Sequence, residues 1–264
     1  MPRKSIAPRV LAQLAGPFRR KLLAWYDRSA RDLPWRRTRD PYQVLVSEVM
    51  LQQTQVSRVQ EYYPRFLEQF PDLGTLAAAR PRAVREAWAG LGYYARARNL
   101  HELAKVVAGK SATGRSVAGR GVAKLPEDPE ELIKLPGVGP YTAGAVASFA
   151  YEKPVPAVDT NVARVIRRVF FGERLPPHRP SRQRSTRQRL TPQRPIPQRL
   201  IWSTAATLVP KDGKRAWRFN QAIMELGAVV CTARKPKCGE CPVRSGCKTG
   251  KRFKGDGGRG TGDG

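Results

Sequence analysis

The chain has 264 residues, enough for one large domain or two compact ones, and 41% of them are hydrophobic, an ordinary share for a protein with a real core. Forty-nine Lys and Arg stand against 21 Asp and Glu, a formal charge of +28. That surplus points to a polyanionic partner, nucleic acid first, because each phosphate that a basic side chain neutralises releases a condensed counterion. No apolar run approaches the roughly 20 residues that span a bilayer, and the basic N-terminus lacks the hydrophobic core of a secretory signal, so membrane classes are excluded and the cytosol is expected.

In chain order, residues 1–21 hold six basic side chains and no acid. Phe18, Leu22, Trp25 and Tyr26 have the spacing of a helix packed on its own domain. Asp40-Pro41 opens an apolar helical run to Thr54, Pro81 precedes a helix over Ala83 to Trp88, and Asn99 to Ala108 repeats apolar residues at helical spacing. Leu132 to Leu135, Thr142 to Ala150, Val162 to Phe171, Leu200 to Val209 and Phe219 to Val230 continue the pattern. Few stretches alternate as strands do, so the fold class is all-α with short turns. Residues 174–199 carry eight Arg and six Pro with no acid, a composition that cannot bury enough apolar surface to offset ordering, and they are expected to form a flexible insertion. This segment either adds nonspecific DNA affinity or is a solvated linker. The Gly-rich tail is expected to be disordered, with nothing folded after Cys247.

Three constellations carry chemistry. Cys231, Cys238, Cys241 and Cys247 are the only cysteines, spaced so that four thiolates can converge within one small loop. Iron-sulfur and structural zinc are the two candidates; zinc modules usually show two close pairs, and only Cys238 and Cys241 make one. The run from Leu135 to Val146 contains Gly137, Val138 and Gly139 followed by Pro140, a tight hairpin leading into a helix. Amides at such a turn can grip a DNA phosphate without reading sequence. Glu48 has Val44, Leu45, Leu51 and Gln52 three and four positions away, so its carboxyl shares a largely apolar helix face, where burial favours the protonated acid. A surface Glu or a buried structural acceptor has the same spacing. Asp159 precedes a helix and suits an N-cap; its sharper role is to set negative charge beside the cationic sugar that forms as a glycosidic bond breaks.

Together these residues resemble the helix-hairpin-helix glycosylase superfamily, which includes endonuclease III, and within it the adenine DNA glycosylases of the MutY family. The resemblance runs from about Leu22 to Lys248, and Ser47–Val56, Gly90–His101 and Phe219–Ala228 carry it. It implies a six-helix barrel domain with a helix-hairpin-helix motif beside a helical domain holding a 4Fe-4S cluster on the four cysteines. The expected boundaries are an N-terminal arm at 1–38 packing on the cluster domain, the barrel at 39–152, the cluster domain at 153–248 and a disordered tail at 249–264. Family members also carry a C-terminal domain, resembling the Nudix hydrolase fold, that reads 8-oxoguanine; this sequence stops short of it.

By the same resemblance, Glu48 protonates a flipped adenine and Asp159 stabilises the sugar cation, with Tyr141 and Asn161 lining the site. Bifunctional members have Lys at the Tyr141 position and cut the strand through a Schiff base; Tyr cannot, so base removal without strand cleavage is implied. Gln53 and Tyr93 match residues that enter the base stack. Arg31, Trp35, Arg36, Leu51 and Gln221 match positions around the adenine pocket. The implied function is monofunctional removal of adenine mispaired with 8-oxoguanine or guanine in double-stranded DNA, by a monomer associated with the nucleoid. The alternatives are a thymine or uracil glycosylase acting on mismatches with guanine and, in a different class, a noncatalytic damage-binding module. Arg234, Lys235 and Lys237 inside the cysteine loop are expected to meet phosphate.

Overall fold

The computed structural model describes residues 6–113, 124–173 and 195–252, whose regular elements are all helical, with no strand among them. They form two compact units, one from the described residues of 31–157 with 212–217 and the other from those of 6–30, 158–211 and 218–252.

The first of these units begins with a single 3-10 turn at Pro34–Arg36 and continues through seven helical segments among the described residues, α2 (Pro41–Leu51), α3 (Val56–Gln69), α4 (Leu73–Ala78), α5 (Pro81–Ala87), α6 (Ala95–Thr113), α7 (Pro129–Leu132) and α8 (Pro140–Tyr151). Short acidic side chains start three of them. Asp40, Asp72 and Asp128 each accept a backbone N–H from the first turn of α2, α4 and α7, at 2.9, 2.7 and 2.9 Å. Such caps satisfy donors that the helix itself leaves unpaired.

Helices α2 and α8 pack together and are buried nearly all round: Tyr42 and Val44 to Met50 in one, Thr142 to Phe149 in the other. A helix apolar on every side belongs at the centre of its unit. Around them α3 turns one face inward through Val59, Tyr63 and Phe66, and Phe66 meets Trp88 edge to face at 5.7 Å. Gly144 of α8 allows the close approach of the chain beyond it, since a Cβ there would stand 2.3 Å from the Pro156 carbonyl oxygen. The helices over 56–69 and 73–78 are not among those the sequence pattern marks. Pro64 interrupts the pattern yet lies inside α3, where packing of the Val59–Phe66 face holds the helix despite the missing donor.

The second unit is built from α1 (Pro8–Ser29), α9 (Thr160–Phe171), α10 (Gln198–Leu208) and the greater part of α11 (Gly213–Glu225), followed by a π-helical turn at Leu226–Val230. Leu11, Ala15, Phe18, Leu22 and Tyr26 form the buried stripe of α1. Phe18 lies edge-on to Phe170 at 5.2 Å and Phe219 at 6.2 Å. Arg19 donates to the carbonyls of Leu208 and Thr207, at 2.6 and 2.8 Å, closing the C-terminus of α10. The helix around Phe18 and Tyr26 therefore packs within its own unit, as its spacing indicates.

Two expectations about slack chain need adjustment. The Arg- and Pro-rich segment was expected to run to 199, but Ile196 is buried and α10 starts at Gln198; residues 174–194 lie outside the described residues. Order also persists beyond Cys247. Thr249 is buried, its hydroxyl donates to the Arg168 and Glu173 carbonyls at 2.9 and 2.7 Å, and Gly250–Arg252 form one 3-10 turn. Backbone bonds to α9, rather than composition, keep this piece folded. The rest of the expected tail, 253–264, lies outside the described residues.

Candidate active site and cluster loop

Glu48 occupies the middle of α2 with only 4% of its surface exposed, and the Tyr141 hydroxyl from the first turn of α8 donates to its Oε2 at 2.5 Å. Both helices are central to their unit, so neither side chain can swing away without disturbing the core. The Glu48 carboxyl is therefore a buried group held by a phenol and not a surface charge. Thr142, next along α8, receives a bond from the Gln52 amide at 3.4 Å. Leu51 is half-buried at the end of α2. Arg36 donates to the Arg31 carbonyl at 2.9 Å, and both arginines are half-buried. Trp35 is buried and packs edge to face on Tyr63 at 5.7 Å, so its ring serves the core of this unit.

Gln53 and Tyr93 both protrude, and both adopt left-handed backbone, with φ of 58° and 48°. Tyr93 is 64% exposed, which removes core packing as its role. At the hairpin, Gly137 has φ of 75° and a Cβ there would stand 2.7 Å from the Asn99 Cβ, so this position requires glycine twice over. Val138 is buried beneath the turn. Gly139 differs from the expectation: it is extended, caps α8, and faces open space, so its backbone angles do not demand glycine.

In the other unit, Asp159 caps α9, accepting the Val162 N–H at 2.7 Å through one oxygen and the Asn161 amide at 2.8 Å through the other. Burial pushes its carboxyl above the ordinary aspartate value, while the Val162 N–H, the Asn161 amide and the Arg164 charge pull it back. The Asp159 carboxyl thus caps α9 while both its oxygens are held. Arg164, which no spacing singled out, donates to Asn161 Oδ1, the Gly227 carbonyl and the Cys231 carbonyl at 2.7, 2.7 and 2.8 Å. Gly227 lies in the π turn, where a Cβ would stand 2.7 Å from the Asn161 Cβ. Gln221 is buried in α11.

The π turn delivers Cys231, and Cys231, Cys238, Cys241 and Cys247 line one cavity together with Arg168, Val243 and Arg244. None is in a disulfide. Burial pushes the Cys241 thiol up to about 12, and its neighbouring cysteines push in the same direction. Four thiolates there need cationic and N–H partners. The surroundings supply them: the Gly250 N–H points at Cys247 Sγ at 3.1 Å and the buried Arg168 guanidinium at Cys231 Sγ at 3.5 Å. Arg168 also holds the loop by donating to the Thr232 and Ala233 carbonyls at 2.6 and 2.8 Å. The four cysteines line the walls of this cavity, which also has Leu226, Val230 and Pro236 around it. This donor set fits an iron-sulfur cluster. Arg234, Lys235 and Lys237 are all exposed on the same loop.

The described residues thus combine an all-helical fold, a buried acid, a glycine hairpin and a four-cysteine loop, the layout of a helix-hairpin-helix protein with a cluster loop. Residues 46–190 match the family model described as HhH-GPD superfamily base excision DNA repair protein, and residues 231–247 match the iron-sulfur binding domain of endonuclease III. The chain belongs to the HhH-GPD superfamily of base excision DNA repair proteins, and its cysteine loop holds a 4Fe-4S cluster. It is 44% identical over 84% of its length to an adenine DNA glycosylase of Mycolicibacterium smegmatis, of which it covers 66%. It is 43% identical over 89% of its length to that of Homo sapiens, of which it covers 40%. The chain thus spans less than two thirds of the length of these curated relatives. A solved thermostable thymine-DNA glycosylase aligns with a TM-score of 0.72 at 28% identity, covering 90% of this chain and 97% of the other. A trapped endonuclease III–DNA complex shares the fold, with a TM-score of 0.67 at 23% identity over 93% and 98%. No described helix is long and apolar enough to cross a membrane.

Proposed function

We propose that this protein is a monofunctional DNA glycosylase that extrudes adenine mispaired with 8-oxoguanine or guanine from double-stranded DNA and hydrolyses its N-glycosidic bond. The observation that carries this reading is the buried Glu48 carboxyl held by the Tyr141 hydroxyl. A carboxyl shielded from water is suited to hand a proton to a leaving base, and the phenol fixes the orientation in which it does so. Tyr141 has no amine with which to form a Schiff base, so the reaction ends at base removal. Asp159 serves the other partner: an ionised carboxylate beside the sugar stabilises positive charge as the bond stretches. Its Oδ2 is fixed by Asn161, which is fixed by Arg164.

Arg31, Arg36, Leu51 and Gln221 contribute to recognition of the extruded base, with Trp35 supporting them from the core. Gln53 and Tyr93 hold the duplex open. The amides around Gly137 and Gly139, with the positive end of α8, take a phosphate. The cluster supplies structural order to the loop that presents Arg234, Lys235 and Lys237 to DNA. The protein works as a monomer on a mispaired duplex wherever the chromosome lies.

The adenine reading rests on relatives of 44% and 43% identity that bear that activity in their names. The thymine-DNA glycosylase neighbour supports the second reading at 28%. A panel of mispaired duplexes under single-turnover conditions tests both, with wild type beside Glu48→Gln. Adenine release by wild type alone is expected. Release only of thymine or uracil transfers the protein to the second reading, and binding with no release from any duplex leaves a noncatalytic module.

A further inference from the structure

The motif around Gly90 to His101 includes an arginine to which neither spacing nor the proposed chemistry assigned a task. Arg96 is half-buried at the start of α6, and its guanidinium donates to five carbonyls and one hydroxyl. Nη1 reaches the Val49, Met50 and Gln52 carbonyls at 3.0, 2.8 and 2.5 Å. Nη2 reaches Thr54 Oγ1, the Leu91 carbonyl and the Gly92 carbonyl at 3.0, 3.0 and 3.1 Å. The bonds therefore bracket Gln53 on both sides, anchor the two residues before Tyr93, and close the last turn of α2, the helix that bears Glu48.

The backbone explains why such a bracket is needed. Gln53 and Tyr93 are two of the non-glycine residues with positive φ, and a side chain in that region costs of order 1–2 kcal/mol unless its surroundings hold it there. The Tyr93 ring also lies against the guanidinium, 5.5 Å from its carbon to the ring centre, with Trp88 at the same distance on its own side. Trp88 in turn donates to the Gly92 carbonyl at 3.2 Å. The two terminal nitrogens of a guanidinium face the two loops in fixed directions, whereas the three donors of a lysine ammonium radiate from one atom and cannot reproduce that fork.

We propose that Arg96 is a positioning residue that clamps the Gln53 and Tyr93 loops together, so that both side chains meet the base stack as one preformed wedge. The inference rests on the proposed DNA contacts of Gln53 and Tyr93. It adds that neither loop holds its geometry independently and that wedge and acid helix are mechanically joined through one guanidinium.

The test combines DNA binding with 2-aminopurine fluorescence, which reports unstacking beside the mispair, in the cluster-loaded protein. Arg96→Lys, Gln53→Ala with Tyr93→Ala, and the combination of all three are compared. Arg96→Lys is expected to lower mispair affinity by about tenfold and to reduce the unstacking signal. In the Gln53→Ala, Tyr93→Ala background the same change is expected to cost less than about twofold, because the groups it acts through are gone. Hydrogen exchange at residues 51–54 and 91–94 should rise in Arg96→Lys at both loops together. An Arg96→Lys loss of equal size in both backgrounds, or no loss in wild type, overturns the clamp. If Arg96→Lys does not fold, Thr54→Val removes one bond of the bracket and is expected to give a loss of about threefold that again vanishes in the double-alanine background; additivity there also overturns it. A wild-type protein that never unstacks the mispair refutes the DNA reading itself, an outcome distinct from additive Arg96 losses.

Discussion

Replacing Gly137 by alanine separates backbone requirement from mere sequence habit at the hairpin. The residue sits at φ of 75°, and an added Cβ would lie 2.7 Å from the Asn99 Cβ on α6. The left-handed conformation costs an alanine about 1–2 kcal/mol. Relief of the contact requires movement of the α6 backbone, since the obstructing atom is a Cβ and not the end of a flexible side chain, and overpacking of this kind adds about 1 kcal/mol or more. The sum is about 2–3 kcal/mol, equivalent to a fall in melting temperature of roughly 4–12 °C for a domain of this size. Gly139→Ala is the internal control: φ there is −95° and no atom lies within 4 Å of the added carbon, so a change within about 0.5 kcal/mol is expected. Differential scanning calorimetry of the two variants, each with its iron content measured, decides the matter. Equal destabilisation by both substitutions would refute the geometric argument. DNA affinity of Gly137→Ala should fall alike for matched and mispaired duplexes, since a phosphate contact carries no base information.

Other perturbations probe the remaining chemistry. Glu48→Gln should lower single-turnover base release by at least about 100-fold with mispair affinity retained, and Tyr141→Phe by a smaller factor, as the acid stays while its orienting donor is lost. Asp159 has a carboxyl raised by burial, so the folded protein binds its proton more tightly than the unfolded chain, and ionisation destabilises the fold as pH rises through that raised value. Asp159→Asn keeps the Oδ1 acceptor for the Val162 N–H but turns an NH2 toward the Asn161 amide, so the relief of a buried charge is offset by a lost bond. It should abolish base release, and its stability relative to wild type should fall as pH drops to the ordinary aspartate range, where the relieved charge no longer counts; a relative stability that does not vary with pH contradicts this. Removing the cluster by Cys241→Ala should expose the 231–247 loop to proteolysis while the helices within residues 41–113 and 129–151 keep their exchange protection. Neutralising Arg234, Lys235 and Lys237 together should flatten the salt dependence of DNA binding by roughly 2 to 3 in log-log slope, and an unaltered slope removes them from the phosphate contacts.

The helical class and the cysteine loop were legible in the sequence for local reasons. Helix periodicity and Asp-Pro starts are properties of neighbouring residues, and four thiols within 17 positions leave few arrangements open. The hairpin was legible only in part: a Gly-Val-Gly triplet marks a turn, yet which glycine is indispensable depends on Asn99, 38 positions away in the chain. Spacing also left Glu48 undecided between surface and core, because both faces of α2 are apolar and only burial against α8 selects one. The donor that completes it, Tyr141, is 93 residues distant.

The arginines mark the limit most clearly. In a chain with 49 basic side chains, composition cannot distinguish those that meet phosphate from those that hold the fold. Arg96, Arg164 and Arg168 each donate to backbone carbonyls 44 to 67 positions away in the chain. Which loops come within reach of a guanidinium is set by helix packing, and no local pattern encodes it. Sequence by itself therefore determined the helical class and the four-cysteine loop, through short-range spacing. Tertiary structure alone decided which charges are structural, because long-range packing chooses the partners that a buried donor must find.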